Sequence, residues 1–97
     1  SDPLRFLSVD GSYNESFWGT ELKLKGKVTN SATIADYKDI VIKITYYSKT
    51  ESVIGTKKHT IYQVFPPNQV KEFKLDVQNY EDVESIEFEL VGATPNN

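Results

Sequence analysis

From Ile40 to Tyr46 every second residue is large and apolar: Ile40, Ile42, Ile44 and Tyr46 alternate with Val41, Lys43 and Thr45. A spacing of two is the period of a strand with one buried face. On a helix the same four side chains would spread round the whole circumference, and the β-branched ones would lose rotamer freedom. The preceding stretch obeys the same rule. Leu22, Leu24, Gly26 and Val28 alternate with Lys23, Lys25 and Lys27, which predicts a half-buried strand from Glu21 to Asn30 with its lysines in water. Asn30-Ser31-Ala32-Thr33 then supplies side chains that bond nearby backbone, and reads as a turn.

The alternation recurs later, in Phe73, Leu75 and Val77 and in Ile86, Phe88 and Leu90. It is imperfect at the start, where Leu4 and Phe6 point one way and Leu7 and Val9 the other. Gly11 to Ser16 reads as a turn or loop. Ser48 to Ser52 is short and most simply joins antiparallel neighbours in a hairpin, since parallel neighbours need about a dozen residues or more to cross over, and Gly55 marks a bend or bulge. The mixed pattern from Thr56 to Phe65 fits an edge strand guarded by Lys57 and Lys58. Pro66-Pro67-Asn68-Gln69 is the strongest break. No window has helical periodicity. About six or seven strands at regular spacing, several with one dry and one wet face, predict an all-β chain folded as an antiparallel sandwich of about seven strands. The expected core is Leu22, Leu24, Val28, Ile40, Ile42, Ile44, Tyr46, Phe73, Leu75, Ile86, Phe88 and Leu90. Gly26 interrupts the inward row of its strand, and close packing of a facing aromatic is the expected cause.

At 97 residues the chain (1–97) is expected to form a single domain. It has no cysteine and no methionine, so disulfides, thiolate metal sites and cysteine nucleophiles are excluded. Eleven basic and fourteen acidic side chains are interspersed, leaving no basic field to attract nucleic acid. No apolar run reaches the about 20 residues that a membrane-spanning helix needs. The opening Ser1-Asp2-Pro3 carries no secretory signal, as expected of a mature or excised form.

Gly26-x-Val28-x-Asn30, a polar stretch with Tyr37, then Ile40-Val41-Ile42-x-Ile44-x-Tyr46-Tyr47, followed by Val53-Ile54-Gly55 and a proline turn, resembles the bacterial FxLYD domain and its late-embryogenesis-abundant type 2-like relatives. The similarity runs from about Leu22 to Val77. Two turns depart from the family pattern, with Ser48 to Ser52 and Pro66-Pro67-Asn68 standing where its acidic-glycine hairpin and Pro-Gly turn would be. The resemblance implies an immunoglobulin-like sandwich, an extracytoplasmic setting (periplasmic, cell-surface or secreted), often in a lipoprotein, and no shared catalytic activity. It carries over no site residues.

The residues offer little chemistry. His59 is the single histidine, and its neighbours Lys58 and Thr60 are poor partners for acid–base work or metal ligation. Glu87 and Glu89 fall on one strand face and Glu84 on the other, and the loop pair Glu81-Asp82 lacks the glycine-punctuated spacing of a calcium loop. A solvated face is the favoured reading, with Asp10, Asp36 and Asp39 left open as contributors from other loops. No serine lies in a Gly-x-Ser-x-Gly elbow, and the five glycines form no phosphate loop. No catalytic, cofactor-binding or metal residue is therefore assigned, and no cofactor is implied. The binding candidates are aromatic: Tyr13, Phe17 and Trp18 on one rim, and Tyr47 and Tyr62 on outward parities, for which packing at an open end of the sandwich and across the sheet faces is the favoured explanation.

The expected role is a non-enzymatic interaction or spacer module whose partner is another protein or an envelope component, with weak self-association through strand edges. The alternative is a carbohydrate-binding module using its rim aromatics. The core assignment has a direct check: Ile44→Ala is expected to cost about 2–5 kcal/mol by opening a cavity. A thermal melt unmoved by that substitution would contradict the strand assignment.

Overall fold

The computed structural model describes residues 3–15, 19–80 and 82–96. Six strands form two antiparallel sheets: β1 (Leu7–Glu15), β2 (Glu21–Asn30), β3 (Tyr37–Tyr47), β4 (Val53–Phe65), β5 (Gln69–Gln78) and β6 (Ser85–Pro95). One sheet has the order β1-β2-β5 and the other β4-β3-β6. Hairpins join β1 to β2 and β3 to β4, and the other three connections cross between sheets. β2 and β3 are the two central strands, and they are the two that the alternation defines most cleanly. β2 is buried at Leu22, Leu24, Gly26, Val28 and Asn30 and exposed at Glu21, Lys23, Lys25 and Lys27. Ile40, Ile42 and Ile44 are fully buried, and Tyr46 nearly so.

Six strands stand where about seven were expected, because Val53–Gly55 and Thr56–Phe65 are one continuous strand. The irregularity at Gly55 is a register shift between Tyr46 and Tyr47, not a break. At the other end of the hairpin Asp39, with φ 51°, takes up a second shift between Lys38 and Ile40. A further correction concerns the first strand. Pro3–Arg5 is a 3-10 turn, β1 starts only at Leu7, and Gly11 to Glu15, expected as a loop, stays paired with β2. Ser16, at the end of that stretch, lies outside the described residues.

Gly11 lies opposite Gly26, and Gly26 lies opposite Phe73. A Cβ on Gly26 would stand 2.6 Å from the Phe73 ring, so the facing aromatic is the reason for that glycine. A Cβ on Gly11 would run into the Lys25 carbonyl oxygen and come within 2.8 Å of the Gly26 Cα. Glycine in β1 is therefore a requirement of strand approach, which local turn preference cannot distinguish from a turn.

The core contains the expected residues except Leu75, Phe88 and Leu90, which are half-buried and pack against it. All three sit on edge strands, β5 or β6, whose flank is open. Leu7, Ala32, Tyr37, Ile61, Phe65 and Val77 complete the buried set.

Asn30 is the one buried polar residue among those described, at 1% exposure. It does more than form a turn. Its side-chain Nδ2 donates to the carbonyls of Ala35 and Phe65, each at 2.9 Å, and its Oδ1 accepts from the Ala32 N–H at 3.0 Å. The end of β2 is thereby fastened to the crossover and to the end of β4 in the other sheet. Asn30→Ala is expected to cost about 2–4 kcal/mol, since it strands buried backbone groups. Asn30→Asp should cost as much, because a carboxylate cannot donate to the two carbonyls. Urea denaturation of both variants, with the exposed Asn14→Ala as control, checks this, and an Asn30→Asp curve matching the control would refute it.

Candidate functional site

The aromatic candidates are not gathered on one surface. Tyr13 is half-buried, and its hydroxyl accepts a long 3.4 Å hydrogen bond from the Ile86 N–H, between the two sheets. Phe17 and Trp18 lie outside the described residues. Tyr47 donates to a Glu87 carboxylate oxygen at 3.0 Å, and that bond pushes its phenol above the ordinary range. Tyr62 is 79% exposed on β4. Tyr47 lies opposite Val53, nine residues along β4 from Tyr62, which at strand rise is about 30 Å.

Of the acidic set, Glu81 lies outside the described residues, and Glu87 and Glu89 face outward from β6. Among the described residues no three His, Asp or Glu side chains are grouped closely enough to hold a metal ion. No helix among the described residues is long and apolar enough to cross a membrane.

A concavity of about 580 Å3 is lined by the middle of the β1-β2-β5 sheet together with Gln63 of β4. Its floor is the Gly11–Gly26 pair, and register places Asp10, Lys27 and Glu72 in one cross-strand row and Ser12, Lys25 and Lys74 in the next. The first row sets one cation between two acids, and the second sets two lysines side by side. On the same sheet Lys23 and Asp76 approach to 3.8 Å, but both are well exposed, so the pair contributes little. Mixed signs over an open floor select no particular ligand.

The edge of β4 is better defined. At 13 residues β4 is the longest strand, and it borders its sheet. Val53, Ile54, Tyr62 and Val64 are exposed along it at 59%, 44%, 79% and 40%. The Val64 carbonyl turns away from β3 and accepts from Lys71 Nζ at 2.9 Å. The Ile86 N–H turns from β3 to the Tyr13 hydroxyl, so Tyr46, opposite Ile86, directs its peptide groups to Gly55 of β4, and alternation from Gly55 faces those of Thr56, Lys58 and Thr60 to the open side.

A small notch opens beside the start of this edge. It measures about 230 Å3 and is lined by Tyr46, Ile54, Gly55, Thr56, Lys57 and Tyr80. Two aromatic rings shape it, Tyr80 meeting Tyr46 edge-on with centroids 5.2 Å apart. Lys57 Nζ lies 5.8 Å from the Tyr80 centroid, a cation over a ring. Tyr46 is held in place by its hydroxyl, which donates to the Gln78 carbonyl at 3.0 Å; burial, and then the nearby Tyr80, raise its phenol above the ordinary range. A Cβ on Gly55 would meet nothing within 4 Å. Sequence reasoning singled out Tyr62 and flagged Gly55 as a bulge, but Tyr80 reaches the notch from the β5–β6 connection, which no local pattern announces.

His59 lies on the inward parity of β4, opposite Ile42. Its Nε2 is buried and has no hydrogen-bond partner. Burial, and then the cation of Lys57, hold the imidazole below its ordinary range.

Comparison with known proteins gives no match: no family model, curated protein or solved structure is similar to the chain at a significant level.

The histidine predicts a pH dependence with a definite sign. Above about pH 6.5, the unfolded value, His59 is neutral in both states and has no effect. As pH falls through that value the unfolded chain takes the proton first, so stability declines until the lower folded value is passed. Melting temperatures of wild type and His59→Gln are expected to run parallel from about pH 8 to 7 and to separate below about 6.5, with the wild type losing ground. Curves that stay parallel down to about pH 5 would remove the assignment.

Proposed function

We propose that the chain is an immunoglobulin-like, non-enzymatic interaction module that engages a protein partner through the open edge of β4. The observation that carries this reading is Tyr62, a large aromatic left 79% exposed on the longest strand, next to outward-facing peptide groups at Lys58 and Thr60. An aromatic in that position offers contact area at low entropic cost, and the peptide groups beside it offer the ladder that strand addition uses. The two-sheet sandwich with its crossovers is the kind of scaffold on which such an edge is held rigid. Placement in a bacterial envelope or secreted protein rests on the resemblance of the stretch from about Leu22 to Val77 to FxLYD-like domains.

Sugar binding has less support. Tyr13 and Tyr47 are engaged by Ile86 and Glu87, and Tyr47 and Tyr62 are too far apart to stack on one short oligosaccharide.

Thr60→Pro separates the edge from the fold. The Thr60 N–H faces outward, so proline there removes a partner's bond and none of the ladder to β3. The variant is expected to keep its stability within about 1 kcal/mol, whereas His59→Pro, whose N–H faces β3, should lose about 3 kcal/mol or more. A displayed library of random peptides panned on wild type and on Thr60→Pro tests the function. Peptides retained by the wild type and lost on Thr60→Pro are the expected result. Equal enrichment on both proteins, or a glycan array lit in their place, would overturn the reading.

A further inference from the structure

The four edge strands differ in what they would accept. β1 is drawn in at Gly11, and the outward Ile86 N–H of β6 is taken by the Tyr13 hydroxyl. β5 mixes signs, with Lys71, Glu72, Lys74 and Asp76. β4 carries Lys57, Lys58 and His59 and no acidic residue, in a chain whose net charge is -3.

We propose that the β4 edge binds an acidic peptide in extended conformation, as an added strand along Thr56 to Tyr62, with one apolar side chain of that peptide seated in the notch beside Gly55. The proposal rests on the strand-edge reading above and names the chemistry of the partner.

Three features fix that chemistry. The first is the ladder, whose length is bounded at both ends. Lys71 Nζ holds the Val64 carbonyl, so an incoming strand stops before Val64, and the bulge between Tyr46 and Tyr47 bounds the other end near Gly55. About seven residues remain, enough for three or four outward-facing peptide groups at alternate positions. The second is charge. Lys58 projects from the outer face of β4 and Lys57 from the inner, both exposed, so carboxylates on either face of the added strand meet an ammonium group across a distance that strand pairing sets. The third is the notch. Alternate side chains of an added strand point toward the sandwich interior, and at Gly55 the interior side is empty where every other inward position of β4 carries a side chain. Tyr46 and Tyr80 give it apolar walls, and the Lys57 ammonium stands at its rim. A second copy of this chain is a poorer occupant through β4 itself, because it would bring the same basic strand against its own kind.

Fluorescence anisotropy with synthetic peptides tests this. The probe is a labelled peptide of about eight residues that alternates valine and glutamate and ends in leucine, matching the ladder length. Its companions carry lysine for glutamate, or serine for the terminal leucine. The expected result is that the acidic leucine peptide binds at least about tenfold more tightly than the lysine peptide at about 0.1 M salt, and that the preference shrinks as salt is raised. Lys58→Glu should invert the order of the two. Gly55→Val places a side chain in the notch, where a Cβ meets nothing within 4 Å, so its thermal melt should match the wild type, while the gain given by leucine over serine disappears.

Equal binding of acidic and basic peptides, or a leucine preference that survives Gly55→Val, would overturn the proposed chemistry while leaving the strand edge as a binding site. No binding by any peptide, combined with equal panning on Thr60→Pro, would overturn the edge reading as well. A wild-type dimer in sedimentation velocity that Thr60→Pro abolishes and the acidic peptide does not dissociate would also count against the proposal.

Discussion

The Asn30 side chain is the polar contact on which the arrangement of the two sheets depends. A β-sandwich is held face to face by apolar packing, which is strong and carries no direction. Burial alone would let one sheet slide or rotate on the other at small cost. Three hydrogen bonds from one buried amide, to Ala32, Ala35 and Phe65, remove that freedom at one end. Around it the Ser31 N–H donates to the Phe6 carbonyl, the Asn68 N–H to Ala32 and the Asn96 N–H to Asp36, so that turns from both sheets close over the same pole. At the opposite pole the Tyr46 hydroxyl on Gln78 and the Asn79 amide on Gly19 hold the connections in place. The sandwich is pinned at both ends, and the middle is left to side chains that interlock, Phe73 over Gly26 above all.

What the sequence made legible follows from where burial is one-sided. β2 and β3 have neighbours on both edges, and their inner faces are fully covered, so period-two alternation states their course almost residue by residue. Where the strand is an edge, the inner face is only half covered and the pattern blurs. Leu75, Phe88 and Leu90 keep the core alternation, yet they stand on edge strands and are only half-buried. The first strand reads as ending at Asp10, with a turn from Gly11, because glycine, serine and asparagine carry turn preferences. The ladder to β2 outweighs those preferences, and the pairing of two glycines that makes it possible is a tertiary fact. Tyr37 and Phe65 are absent from the expected core because they stand at strand ends, beside a proline turn and a polar crossover, where alternation has too few residues to speak.

The candidate site was legible in a different degree. Tyr62 had the right parity to face out, and Lys57 and Lys58 marked the strand as an edge. The notch was not visible, because its walls come from Tyr46 on β3, Gly55 on β4 and Tyr80 beyond β5, residues that only the fold brings together. A glycine in a strand can mean a bulge, a close approach or a vacant place. This chain has all three, at Gly55, at Gly26 with Gly11, and again at Gly55, where the bulge and the vacancy coincide.

The position of the outer strands has a mechanical consequence. β1 begins at Leu7, opposite Asn30, and β6 ends at Pro95, opposite Tyr37, so both enter and leave the sandwich at the pole that Asn30 pins. Tension applied through these two segments would load each ladder at its last rung and open it one hydrogen bond at a time, like a zipper. Shear across a whole ladder would need the two pulling points at opposite poles. The domain is therefore built to yield at low force along its chain direction, and the β4 edge, which lies on neither loaded strand, would keep its shape until β1 and β6 had peeled away.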